Sequence, residues 1–459
     1  MKILRRTAAA LLLLIIAGVL LLWLKPPGLL RVGAAYSAKI VCSNVFLAGR
    51  DPDEVLRLDI RAPGIPLLGL MHVSLDREHG LVRAGFFGFI GNGVAIARPG
   101  KGCTVLTDDN PTLRATASGT AARDAPPSEA SAERPAWPDG DRVRTKPELD
   151  RILNDDRLAG PGVRAIVVVD HGRIVAERYT RGFNADTPLL GWSMTKTVTA
   201  GLIGMLVKDG KLSLDQSGLW PADGSGRDRI RVADLLAMSS GLRFNERYGA
   251  VSDVTTMLYL RPDMAGFARD QPLAHPIGEV WSYSSGTAVM LARIVQDTAG
   301  APDFVAERLF KPLGMTTAII EPDERGTLVG SSYMYASARD WARYAQFLLQ
   351  DGVWHSETLL PVGYVDMMAT PVAASGGQYG HGQVWLWGSD AASPGVNPDA
   401  AFGIPADTFW MAGHDGQNIA IIRSRQLIVV RLGLTPHAEN YSPQPLLKAV
   451  LLATAEARR

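Results

Sequence analysis

Leu189-Leu190-Gly191-Trp192-Ser193-Met194-Thr195-Lys196 opens the stretch on which the reading of this chain turns. Mostly small and apolar residues follow to Lys208, and Asp209-Gly210 then ends the pattern. This predicts a helix over 194–208 with Ser193 at its head. A spacing of three puts Lys196 one turn on, on the same face as Ser193. A serine hydroxyl is a weak nucleophile until a neighbouring base takes its proton. A lysine can be that base where burial and nearby positive potential disfavour its charge. The helix N-terminus also points backbone N–H groups at the site, where they can hold a developing oxyanion. The plain alternative is a helix-capping serine followed by a surface lysine. Trp192 and the apolar run argue against it, because Lys196 then begins a buried helix rather than a solvated one.

Two further strings lie at element boundaries. Tyr283-Ser284-Ser285-Gly286 follows a Pro276-Ile277-Gly278-Glu279 turn and precedes an apolar helix, so Tyr283 is expected on a loop. A tyrosine there can share a proton with Lys196 and pass it to a leaving group. Gly413-His414-Asp415-Gly416-Gln417 comes immediately before a strand over 418–422. A glycine at a strand edge lets a substrate backbone approach, which makes the Gln417 amide a candidate second oxyanion donor. Taken singly, the first string reads as a packing tyrosine and the second as a turn.

Around these motifs the pattern is hairpin, helical middle, hairpin, helix. Residues 165–169 and 173–178 flank Asp170-His171-Gly172, and 418–422 and 427–434 flank Arg423-Ser424-Arg425. Helices are expected over 232–238, 287–297, 303–310, 339–349 and 445–455. The fold class is α+β: one antiparallel sheet built from both ends of the domain and flanked by helices, with a mainly helical lobe and the site in the cleft between them.

It is the three strings together, in this order, that carry a resemblance. Ser-x-x-Lys on a helix, Tyr-x-Ser about 90 residues on, and His-x-Gly before a terminal strand resemble the β-lactamase and D-peptidase superfamily. Gly191 to Lys196, Met238-Ser239-Ser240-Gly241-Leu242, Trp281 to Gly286 and Ala338-Arg339-Asp340-Trp341 look most like its class C-like branch of 6-aminohexanoate-dimer (nylon-oligomer) hydrolases, from about Arg142 onward. The resemblance implies that Ser193 is acylated, that Lys196 and Tyr283 transfer protons, and that the Ser193 and Gln417 amides form the oxyanion hole. It also implies that Ser285, His414, Gly416 and Tyr248 line the substrate pocket. Ser285 stands where class C β-lactamases have Asn, and His414 where they have Lys, removing partners for a β-lactam's amide and carboxylate. Esters or small amides are therefore the expected substrates. A β-lactamase or D,D-peptidase is one alternative, and a non-catalytic envelope binding protein another. No cofactor and no metal are implied.

Lys2, Arg5 and Arg6 precede an apolar run from Ala8 to Leu24, which Lys25-Pro26-Pro27 ends. This predicts a single-pass anchor with the rest of the chain periplasmic at a bacterial inner membrane, cleavage near Ala34-Ala35 being the alternative. Outside the cytoplasm Cys42 and Cys103 can close one disulfide. The expected organisation is an anchor or signal segment over 1–30, a small strand-rich segment over 31–110, a linker over 111–141 and the catalytic domain over 142–459. A formal charge of +1 gives no support for nucleic-acid binding.

Overall fold

Helix α1 (Lys2–Leu24) begins the chain, and its stretch Ile3–Leu24 is apolar and long enough to cross a membrane, with none of it buried against protein. The computed structural model describes residues 2–61, 64–108, 110–116, 135–388 and 396–456. They fall into two units. The first comprises Met1–Arg123, Glu246–Asp263 and Asp323–Arg325, and the second Asp124–Asn245, Met264–Pro322 and Gly326–Arg459.

In the first unit, α2 (Gly28–Phe46) packs across a meander of β1 (Met71–Asp76), β2 (Leu81–Phe86), β3 (Ile90–Arg98) and β4 (Gly102–Leu106). The segment over 31–110, expected to be strand-rich, is corrected at its start: residues up to Phe46 form α2, with Leu47 as its C-cap. From Ala34 to Phe46 the helix is buried almost all round, so its apolar residues show no helical period. Gly93 lets the two backbones meet, since a methyl group there would lie 2.1 Å from the Ala34 carbonyl carbon. Cys42 of α2 and Cys103 of β4 are joined, their Cα atoms 6.0 Å apart. The unit also takes Glu246–Asp263 and Asp323–Arg325, which the sequence reading had placed in the catalytic domain. Tyr36 of α2 meets Tyr259 edge-on with ring centroids 5.8 Å apart. Of the expected linker, Asn110 caps a short helix, Pro111–Ala115, and residues 117–134 lie outside those described.

The second unit is built on an antiparallel sheet of β5 (Val163–Asp170), β6 (Arg173–Tyr179), β7 (Thr408–Gly413), β8 (Gln417–Ile422) and β9 (Leu427–Gly433), in the order β7-β8-β9-β5-β6. Both ends of the unit thus meet at β9 and β5, with Val430 opposite Val167. β8 and β9 are buried at every position because helices cover both faces. One face packs on Leu149, Leu153, Leu446, Leu447 and Val450, and the other on the helix Ala338–Leu349. The helical middle includes α3 (Met194–Lys208), α4 (Ser285–Ala299) and α5 (Ala338–Leu349), and α6 (Gln444–Glu456) closes the chain. The Tyr344 hydroxyl of α5 donates to the Thr197 carbonyl at 2.8 Å, fixing α3 against the sheet's helical cover.

Candidate active site

Ser193 stands at the N-terminus of α3, already in helical conformation, and its side chain does not cap the helix. The turn before it is tightly built. Gly191 N–H donates to the Met334 carbonyl at 3.0 Å, and Trp192 takes a positive φ of 48°. Gly191 is required there, because a methyl group would sit 2.2 Å from the Trp341 ring. The next amides, Met194, Thr195 and Lys196, donate three residues back in a narrow first turn.

Lys196 is buried, and its Nζ makes three hydrogen bonds: to Ser193 Oγ at 3.0 Å, to Ser285 Oγ at 3.0 Å and to the Ser331 carbonyl at 3.1 Å. The Tyr283 ring centroid lies 4.7 Å from the same nitrogen. The loop carrying Tyr283 is held by the Met238-Ser239 segment, which accepts from Ser282 N–H and Gly278 N–H, both at 2.8 Å. Ser284 then caps α4 by accepting from Thr287 N–H. A serine hydroxyl, a buried amine in contact with it and a phenol beside that amine are groups that can serve acyl transfer.

On the other side, β7 ends against the turn that carries Ser193. A methyl group on Gly413 would lie 2.2 Å from the Gly191 carbonyl oxygen and 3.2 Å from Trp192 Cβ. His414 meets the Trp192 ring edge-on at 5.6 Å. Asp415 and Gly416 turn the chain with positive φ, and Gln417 pairs across the ladder with Gly413. The Gln417 side chain is spent on the sheet, donating to and accepting from Gly433. Arg431, fully buried, holds the turn by donating to the Gly416 carbonyl at 2.9 Å. Burial works against its charge, and the Tyr441 ring 4.3 Å away faces its guanidinium.

Ser193, Lys196, Tyr283 and Ser285 thus converge, with His414 against the turn that carries Ser193. Ser285 is fully buried and turned to Lys196. Gln417 is a ladder residue, and Gly413 and His414 make the contact with Gly191 and Trp192. Tyr248 belongs to the Glu246–Asp263 segment of the other unit. The sequence reading missed the Ser331 carbonyl and an aromatic cluster in which Tyr283 meets Trp385 at 5.5 Å, Tyr379 at 5.8 Å and Trp281 at 6.2 Å. A backbone acceptor carries no side-chain signature, and Tyr379 and Trp385 lie about 100 residues beyond Tyr283 with no periodic link to it.

The sequence model of the Beta-lactamase family matches residues 154–447, more than half of the chain. The chain belongs to the beta-lactamase family. Its members of known structure share the fold. A protein bearing the name of 6-aminohexanoate-dimer hydrolase, from Bacillus anthracis, is 21% identical with a TM-score of 0.52, over 69% of this chain and 86% of that one. A protein named as a beta-lactamase from Bacteroides dorei is 20% identical with a TM-score of 0.52, over 67% and 98%. A penicillin binding protein from Bacillus halodurans is 18% identical with a TM-score of 0.50, over 66% and 99%. As a beta-lactamase-family chain it is a member of a serine hydrolase superfamily.

Proposed function

We propose that this chain is a hydrolase of esters or small amides that works through an acyl-enzyme on Ser193. The observation that carries the reading is the place of Lys196 Nζ, within hydrogen-bond distance of Ser193 Oγ, Ser285 Oγ and the Ser331 carbonyl. Desolvation disfavours a charged amine, so a lysine buried like this one is suited to take the Ser193 proton as the hydroxyl attacks. Tyr283, beside Lys196, relays that proton to the leaving group, and water then releases the acyl group by the reverse transfers. The Ser193 amide is one oxyanion donor. The second comes from the β7–β8 turn, where the sequence points to Gln417 and the contact of Gly413 with Gly191 favours His414 N–H. Ester or small-amide preference follows from Ser285 and His414, which replace the Asn and Lys that would hold a β-lactam. The small-molecule substrate is met in the periplasm, with α1 as the anchor.

A fluorophosphonate probe tests the chemistry. One covalent adduct on Ser193 is expected by mass spectrometry, and none in Ser193→Ala, which should still fold. An adduct on another serine with activity kept in that variant would sink the assignment. On one preparation, p-nitrophenyl butyrate should give a higher kcat/KM than nitrocefin. The reverse order would give the β-lactamase reading first place, and labelling by fluorescent penicillin the D,D-peptidase one.

A further inference from the structure

We propose that the first unit makes a second contact with the membrane, through an apolar rim of Leu29, Ile65, Leu70, Phe87, Phe89 and Val251 bedded in the headgroup boundary beside α1. These six side chains are each between 42% and 55% exposed. Single exposed apolar residues are ordinary, and the larger unit has a few, such as Val280 and Val362. The six of the smaller unit gather at one place. A methyl group on Gly91, two residues past Phe89, would lie 2.8 Å from the Leu30 carbonyl oxygen. One on Gly28 would lie 3.3 Å from Val251, and one on Gly33 3.3 Å from Leu68, inside the 3-10 turn Pro66–Leu70. Phe87 N–H donates to the Leu70 carbonyl at 3.0 Å, linking the two apolar turns. All of these segments therefore converge on the first turns of α2.

Those turns cannot leave the bilayer surface. Only Lys25, Pro26 and Pro27 separate α1 from α2. Four residue steps, from Leu24 to Gly28, reach at most about 14 Å when fully extended. The headgroup layer on one side of a bilayer is itself roughly 5–8 Å deep. Apolar side chains held so close to the end of a membrane span gain by leaving water for the acyl boundary. Lys25 and Arg31, both exposed, flank the rim and suit lipid phosphates. The rim thus continues the membrane contact of α1, which makes a lipid surface its occupant. The proposal rests on α1 spanning a membrane and is independent of the chemistry at Ser193.

The test uses the full chain in vesicles of phosphatidylcholine and phosphatidylglycerol. Phe87→Cys, Phe89→Cys and, as a reference, Arg77→Cys in the exposed turn at the far end of the β1–β2 ladder are each labelled with a nitrobenzoxadiazole dye. Nitroxide lipids labelled near the headgroup should quench the dyes at 87 and 89 at least twofold, and iodide in the water should quench them little. The dye at 77 should show the opposite pattern. Equal behaviour at all three positions would overturn the proposal. So would quenching at 87 and 89 that grows with protein density instead of nitroxide lipid, which would make the rim a contact between copies. Extraction at alkaline pH reads the anchor separately: release of the chain would remove the α1 span, and the rim proposal with it.

Discussion

Trp192 holds a left-handed backbone conformation, which for a side chain of this size costs on the order of 1–2 kcal/mol. The rings of Tyr333 and His414 and the turn below it enforce that conformation, and Ser193 is thereby presented at the head of α3. The arrangement depends on two glycines in contact. Gly413→Ala would drive a methyl group into the Gly191 carbonyl, against backbone, so the turn that carries Ser193 must shift. We expect a loss of at least tenfold in kcat/KM on p-nitrophenyl butyrate, because displacements of about 1 Å at a reacting centre can cost on the order of a hundredfold. Steady-state kinetics beside circular dichroism will show whether activity falls while the fold remains. That Ser193, Lys196 and Tyr283 come together was legible in the sequence, because each sits in a short string at an element boundary. The Ser331 carbonyl could not, since it reaches Lys196 only through tertiary packing.

Among elements, those with a clear local period were legible. Both hairpins of the sheet and α3 match their expected spans closely, since turn residues or a glycine stop punctuate each. α2 was not, because burial on nearly every side erased the alternation that separates helix from strand. The bond from α2 to β4 is also a stability device. It closes a loop of 61 residues, which in the chain-entropy picture stabilises the fold by up to about 4 kcal/mol. Peptide mapping without reductant should recover Cys42 and Cys103 in one linked fragment. Reduction should lower the denaturation midpoint of the N-terminal unit, and free thiols in the unreduced protein would contradict the pairing.

On the scale of the molecule, the first unit is closed by a small polar clasp. Glu324, nearly fully buried, accepts from Thr107 N–H at 2.7 Å and from the Thr107 hydroxyl at 2.9 Å, while Arg325 pairs with Asp108. Burial, and then the neighbouring Asp108 carboxylate, push the Glu324 carboxyl above its ordinary range, while Asp108 is held below it by its hydrogen bonds to Glu324 and Arg325. The fold therefore favours protonated Glu324. Its contribution is complete below the unfolded-state glutamate pKa of about 4.3 and fades as pH rises through the raised folded value. Glu324→Gln keeps the shape without the titration. Its urea midpoint should vary less than that of the parent as pH rises above about 4.3, and identical pH profiles would refute the clasp.

The same unit draws its parts from three distant places in the chain: residues up to 123, 246–263 and 323–325. Synthesis delivers those parts in sequence, N-terminus first. α2 and its meander emerge early, but the helix Asp253–Leu260, whose Tyr259 covers Tyr36, comes some two hundred residues later. At ordinary synthesis speeds of roughly 5–20 residues per second, the wait is on the order of ten seconds or more. During that interval the newborn α2 has one flank uncovered, and Cys42 and Cys103, both already synthesised, can pair early and clamp it to its meander.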